Sequence, residues 1–242
     1  MASQTVYLIS GANRGIGFEI VKQLASRPDT LVFAGARDPS KADALNTLAK
    51  EKGNVEVVKL SSTSEEEAAA VAKAIEEKAG KVDVVFANAG VANSYGPLLS
   101  QSPQAFREHF EVNTLGPLIL FQQTYPVLAK SSKPKFLVTS STIGSSTAAH
   151  FPAAAYGTSK AAVNHIVAHA HHDYPDLTAV TFCPGWVQTD MGNSGAKSQG
   201  LEEAPVKVED SAAAIIALAD KATRESFGGK YWSAVEDKEI PF

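Results

Sequence analysis

Cysteine is almost absent: of 242 residues only Cys183 carries a thiol, so no intrachain disulfide can form. A reducing compartment is the simplest fit, and a cytoplasmic protein is expected. Charge of one sign is also scarce. The formal net charge is −4 and no basic patch dominates, which argues against nucleic acid or an anionic membrane as the main partner. No window reaches the roughly 18–20 apolar residues that a membrane span needs. The opening stretch MASQTVYLISGANRG has neither a basic leader region nor a long apolar run, so no secretory signal is expected. Repeats and low-complexity tracts are missing too. A 44% hydrophobic share over this length is instead what one soluble α/β domain spanning 1–242 would carry.

What is present is a regular alternation. Apolar runs at Thr5–Ser10, Leu31–Gly35, Val55–Val58, Val82–Ala87, Phe136–Thr139, Leu177–Phe182 and Lys230–Ser233 read as strands. Helical patterns separate them, at Gly15–Arg27, from Asp38-Pro39-Ser40 toward Lys50, and from the Ser64/Glu67 capping box to about Lys78. Three more follow: Pro103 to about Lys130, interrupted by Gly116 and Pro117; Tyr156–His172; and Val208–Ala222. The polar stretch Gly192–Pro205 reads as a mobile loop that closes over a substrate. Strand–helix alternation implies crossover connections and a mostly parallel sheet of seven strands flanked by helices. Ligands bind such sheets at the carboxyl ends of the strands.

Those ends carry the chemistry. After the first strand, Gly11, Asn13, Arg14, Gly15, Ile16 and Gly17 form a glycine turn that opens a helix. Glycines allow a tight turn and let a pyrophosphate approach the free N–H groups of the helix N-terminus. The spacing G-x3-G-x-G is neither G-x-G-x-x-G nor a P-loop. After the second strand stands Arg37, suited to grip a ribose 2′-phosphate, whereas an acidic residue there would bond a 2′-hydroxyl. NADP(H) is therefore the expected coenzyme, with Asp38 the competing residue one step on. Tyr156 and Lys160 lie four apart on one helical face, with Ser141 fifteen residues upstream. A neighbouring ammonium would stabilise the phenolate and lower the phenol pKa, which suits proton exchange with an alcohol or ketone.

In order along the chain, these motifs resemble the short-chain dehydrogenase/reductase family. The glycine motif looks like Ser10-Gly11 to Gly17, and the Asn-Ala-Gly motif like Asn88, Ala89 and Gly90. The helix asparagine is similar to Asn113. The catalytic serine matches Ser141, and Tyr-x-x-x-Lys matches Tyr156 and Lys160. The Pro-Gly turn with its downstream threonine looks like Pro184, Gly185, Val187 and Thr189. Ala36-Arg37-Asp38 and the Ile240-Pro241-Phe242 ending resemble the carbonyl-reductase, sniffer-like group and the fungal norsolorinic acid ketoreductases. The resemblance implies a doubly wound Rossmann-type α/β domain and a homodimer or homotetramer. It also implies an NADPH-dependent reductase of small-molecule carbonyls. Tyr156 would donate the proton, Ser141 position the carbonyl oxygen, Lys160 hold the nicotinamide ribose, and Asn113 orient a water that links Lys160 to solvent. Ser10 stands where the family has threonine, Ala87 where a second asparagine is common, and Ser61 where an aspartate faces the adenine.

Several residues keep alternatives open. Tyr95, Ile143, Phe151, Trp186 and Met191 flank the motifs and would line a pocket for a bulky aromatic ketone, or simply pack the core. Ser140 competes with Ser141. His165 and His169 share a face but lack a clear third ligand, so no metal is expected. Cys183 reads as a buried small hydrophobe. A non-catalytic NADP-binding regulator on this fold would be expected to lack the tyrosine or the lysine, and both are present.

Overall fold

The computed structural model describes residues 4–148 and 151–242. Residues 1–3, which begin the stretch examined for a leader, lie outside it.

One sheet runs through the molecule in the order β3-β2-β1-β4-β5-β6-β7-β8. Its strands are β1 (Thr5–Ile9), β2 (Thr30–Ala36), β3 (Val55–Lys59), β4 (Val84–Ala87), β5 (Lys135–Thr139), β6 (Thr178–Cys183), β7 (Tyr231–Ser233) and β8 (Lys238–Glu239). The first seven are parallel, as the alternation predicts. The eighth is an addition to the expected seven: a two-residue antiparallel edge strand paired with β7. Two residues are too short to show a period in sequence.

The helices are α1 (Gly15–Leu24), α2 (Asp43–Lys52), α3 (Glu65–Ala79), α4 (Pro103–Phe110), α5 (Gly116–Leu128), α6 (Ala154–Asp173), α7 (Asp190–Ser198), α8 (Val208–Lys221) and α9 (Arg224–Phe227). Alternate strand residues feed opposite cores. Tyr7 and Ile9 pack with Ile20, Leu45 and Ile215 on one face. Val6 and Leu8 pack with Ile75, Leu128 and Val163 on the other. The period of two along β1 therefore supplies both layers, and the strand is apolar throughout because both faces are covered.

Four local features bear on the site, three of them departures; the break in the helix from Pro103 falls at Gly116-Pro117 as expected. The helix expected from Asp38 starts as a 3-10 turn, Pro39–Lys41, which the Asp38 carboxylate caps through the Ser40 amide. Ser64 caps α3 as expected, but Glu67 does not reach back to it. Its carboxylate accepts from the Ser61 amide at 2.7 Å and pairs with Lys59 at 2.9 Å. The long helix from Pro103 breaks into three pieces, α4, a π-turn over Glu111–Leu115, and α5. Pro117 has no N–H, so the Asn113 carbonyl lacks its ordinary i+4 donor, and the widened turn falls there.

The fourth is a correction. Gly192–Pro205 is not a free loop, because its first part belongs to α7. Thr189 caps that helix by accepting the Gly192 amide at 3.1 Å. The segment then folds back on itself. Ala204 N–H donates to Asn193 Oδ1 at 3.0 Å, Gln188 pairs with Glu203 at 2.9 Å, and Val187 bridges Val206. Glycines at 192 and 195 hid the helix, since they weigh against one by propensity. The capping threonine and Asp190 in the first turn were the signals for it. Among the described residues no helix is long and apolar enough to cross a membrane.

Candidate active site

The strand order reverses between β1 and β4, and a cleft of about 1110 Å³ opens over the carboxyl ends of the strands there. Every candidate cofactor and catalytic residue lines it except Gly17 and Asn113, which lie just behind its wall, and Pro184, Gly185, Val187 and Thr189 form its far side.

The glycine turn is built for close backbone approach. Gly11 has φ +65°, and a Cβ there would sit 2.9 Å from the Ala89 Cα. A Cβ on Gly17 would lie 2.3 Å from the Gly11 carbonyl oxygen and 2.6 Å from the Asn88 amide nitrogen. Both positions exclude side chains sterically. The turn is pinned to β4 by Ser10, whose hydroxyl accepts from the Asn88 and Ala89 amides at 3.0 and 3.1 Å. Asn88 returns its side-chain amide to the Ser10 and Gly11 carbonyls. The serine in place of threonine thus keeps the hydroxyl's work. The result is a smooth cradle with α1 amides at its floor, which fits a dinucleotide pyrophosphate.

Arg37 lines the cleft, is exposed, and makes no ion pair among the described residues. Asp38 is not part of the lining. Its carboxylate is turned to Ser40 and Lys41, whose hydrogen bonds hold its pKa below the usual carboxylate range, the Ser40 hydroxyl contributing most. Arg14 faces the cleft but is paired with Asp190 of α7 at 3.0 Å. Both groups are mostly exposed, so that pair contributes little to stability. Ser61 also lines the cleft, its amide taken by Glu67.

At the other end Tyr156, Ser141 and Lys160 converge. Ser141 follows β5 and caps the short turn Thr142–Gly144 by accepting the Ile143 amide, and its hydroxyl lies close enough to the Tyr156 phenol to influence its pKa. Neighbouring Ser140 is 1% exposed, and its hydroxyl has no partner. Both serines border the cleft, but Ser140 is buried and Ser141 is half-buried, so access from the cleft favours Ser141. Lys160 Nζ lies 5.6 Å from the Tyr156 ring centroid and donates to the Thr139 carbonyl at 2.7 Å.

The electrostatics depart from expectation. Lysine proximity predicts a lowered phenol pKa. In the protein alone, burial dominates and pushes the Tyr156 phenol above its ordinary value, with the Ser141 hydrogen bond pulling the other way. Burial pushes the Lys160 ammonium down to about 8. The phenol is therefore protonated at neutral pH, the state that a proton donor requires.

The Lys160 shift has a consequence for stability. Its pKa falls from 10.5 to about 8 on folding, so between those values the unfolded chain binds more protons and stability rises with pH. Below pH 8 the buried charge costs about 3 kcal/mol, offset in part by about 1 kcal/mol from the Thr139 bond. Lys160→Met should therefore raise the urea unfolding free energy at pH 7 by about 2 kcal/mol, and the gain should vanish as pH climbs from 8 to 10.5. A variant less stable than the parent at pH 7 would show that the ammonium is not desolvated.

Asn113 is fully buried and its side chain is committed. It accepts the Val91 amide at 2.8 Å and donates to the Val91 carbonyl at 2.9 Å and to Ser159 Oγ at 3.0 Å. Both side-chain donors are thereby taken, and the main-chain carbonyl, which Pro117 cannot pair, is an acceptor open to that role. The Asn113 amide oxygen and Lys160 Nζ both border Gly90, 3.2 and 3.5 Å from where its Cβ would be.

All five candidate pocket residues line the cleft. Phe151 and Trp186 meet edge to face at 6.1 Å, and Trp186 is fixed by donating to the Gly192 carbonyl at 2.9 Å. Cys183 is buried on the floor, where burial pushes its thiol up, in keeping with an inert side chain. His165 and His169 meet edge to face at 4.8 Å on the open side of α6, and among the described residues they belong to no cluster that could hold a metal. Sequence reasoning missed Val235 and Glu236, in the β7–β8 turn, which complete the rim beside Gly185. The signal for them was confined to the short terminal hairpin.

With this geometry in view, the chain belongs to the short-chain dehydrogenase family, whose model matches residues 5–200. Among its relatives, a norsolorinic acid ketoreductase of Aspergillus parasiticus is 37% identical over 248 residues, covering 99% of this chain and 92% of the relative. Two solved structures are similar throughout. Carbonyl reductase Sniffer of D. melanogaster has a TM-score of 0.89 at 26% identity, over 99% of this chain and 100% of that one. An NADPH-bound carbonyl reductase from chicken fatty liver has a TM-score of 0.88 at 26% identity, over the full length of both.

Proposed function

We propose that this oxidoreductase is an NADPH-dependent reductase of ketones or aldehydes that favours bulky aromatic carbonyls. The observation that carries the reading is the convergence of three groups in one cleft: the Tyr156 phenol, the neighbouring Ser141 hydroxyl and the buried Lys160 ammonium 5.6 Å from the centre of the same ring. The uncommitted Arg37 and the side-chain-free cradle support the coenzyme, as does the NADPH bound by the avian relative.

When bound, NADPH supplies a hydride to the carbonyl carbon. Gly11, Asn13, Arg14, Gly15, Ile16 and Gly17 hold its pyrophosphate and Arg37 its 2′-phosphate. Ser61 borders the adenine, Asn88, Ala89 and Gly90 the ribose, and Pro184, Gly185, Val187 and Thr189 the nicotinamide. Ser141 donates a hydrogen bond to the carbonyl oxygen where negative charge develops. Tyr156 gives that oxygen its phenolic proton. Lys160 stabilises the phenolate left behind, and the Asn113 carbonyl holds the water through which the proton returns. Tyr95, Ile143, Phe151, Trp186 and Met191 form an apolar wall, and the flat faces of its three aromatics fit an aromatic ring better than a chain.

Fluorescence titration with NADPH and NADH, followed by turnover on matched aliphatic and aryl ketones, tests the reading. Tighter NADPH binding and faster aryl turnover are expected. Coenzyme binding with no ketone or aldehyde reduced would refute it.

A further inference from the structure

We propose that His109 is a positioning residue that sets the distance between the substrate wall and Tyr156, a role that rests on the reductase reading above. The histidine is fully buried in α4. Its Nδ1 lies 2.7 Å from the Ala105 carbonyl oxygen, which can only accept, so Nδ1 carries the hydrogen. Nε2 is then free to accept, and it takes the Asn93 amide at 3.3 Å. The ring also stands edge-on to Tyr156, at 6.3 Å and 74°.

One turn further along, Asn113 clamps both backbone groups of Val91. His109 and Asn113 are thus two side chains, four residues apart, gripping alternate residues of the segment that leaves Gly90. That segment leads to Tyr95, whose ring lines the cleft and whose hydroxyl donates to the Ala92 carbonyl at 3.1 Å. Its other end is tied separately, the Gly96 amide donating to the Pro152 carbonyl at 2.8 Å. Tyr95 hangs between these two anchors. The near anchor touches the phenol ring directly, so one imidazole couples the wall to the proton donor. A histidine that merely fills volume would not need its second nitrogen on the pocket backbone.

Two amide substitutions separate the two nitrogens. His109→Gln carries an acceptor to the Nε2 position and keeps the hold on Asn93. His109→Asn reaches only the Nδ1 position and keeps the Ala105 bond alone. With an aryl ketone, His109→Asn should raise substrate KM about tenfold, the scale of leaving one amide unpaired. Its kcat should stay within about threefold and its NADPH affinity should match the parent, while His109→Gln restores KM to within about twofold. Hydrogen exchange read by mass spectrometry on residues 91–96 should be about tenfold faster in His109→Asn and at the parent rate in His109→Gln. Should His109→Asn not fold, His109→Phe, which keeps the ring and lacks the acceptor, takes its place with the same expected result. Equal KM and equal exchange in the Gln and Asn variants would overturn the proposal, whether both are normal or both impaired. If the parent reduces no ketone, the reductase reading fails, and the exchange comparison still decides whether His109 holds the wall.

Discussion

Tyr156→Phe should lower kcat for ketone reduction by about a thousandfold, the scale of a positioned acid–base group, and leave the NADPH dissociation constant unchanged. The substitution removes one oxygen. The ring that packs beside Lys160 and His109 stays, so the loss reports the proton and not the packing. What disappears is a buried phenol whose pKa burial raises, beside the Ser141 hydroxyl. Without it the developing alkoxide has Ser141 as its only partner in this group, and a hydroxyl of ordinary acidity is a poor proton source at neutral pH. Stopped-flow turnover beside a fluorescence titration separates chemistry from binding. Turnover within about threefold of the parent would remove the phenol from the mechanism.

The second large effect is on coenzyme choice. Arg37→Ala should weaken NADPH binding by about tenfold to a hundredfold and leave NADH nearly unchanged, because a charge-assisted bond to phosphate is worth roughly 1.5–3 kcal/mol. The expectation depends on a structural detail. The Asp38 carboxylate is occupied with Ser40 and Lys41 and is absent from the cleft lining, so it is not placed to bond a ribose hydroxyl. Arg37 has no competing ion pair among the described residues, whereas Arg14 is already paired with Asp190. Arg37 is therefore the arginine able to give a phosphate its full charge. The effect should shrink in high salt, since the group is exposed. Equal losses for both coenzymes would mean that Arg37 acts on the fold of the turn and not on the 2′-phosphate.

How far the sequence could be read follows from where the information sits. The parallel sheet was legible because each long strand is a short apolar run closed by a turn residue, as at Ile9-Ser10-Gly11. The candidate site was legible because its motifs follow a fixed order along the chain, some at strand ends, as at Gly11 and Asn88, and others on helical segments, as at Asn113, Tyr156 and Lys160. Three things were not. The α7 helix was hidden by its glycines, and beyond its Thr189 cap it is held by tertiary contacts through Trp186, Asn193 and Gln188. The direction of the Tyr156 shift depends on burial against charge, and burial is a property of the assembled cleft. His109 looked like any lone histidine on a helix. Its link to Asn93 spans sixteen residues and exists only once the segment after Gly90 is laid against α4. Its spacing of four from Asn113 was visible, but nothing in the spacing says what the two side chains hold.

The most direct measurement is a single turnover with one equivalent of NADPH and excess aryl ketone, following coenzyme fluorescence and alcohol together. One alcohol should appear for each NADPH consumed in the parent, and Tyr156→Phe should bind the coenzyme yet hold its signal steady over the same interval. Coenzyme bound by the parent with no alcohol formed, or alcohol formed equally fast by the variant, would contradict the assignment of Tyr156 as the proton donor of a carbonyl reductase.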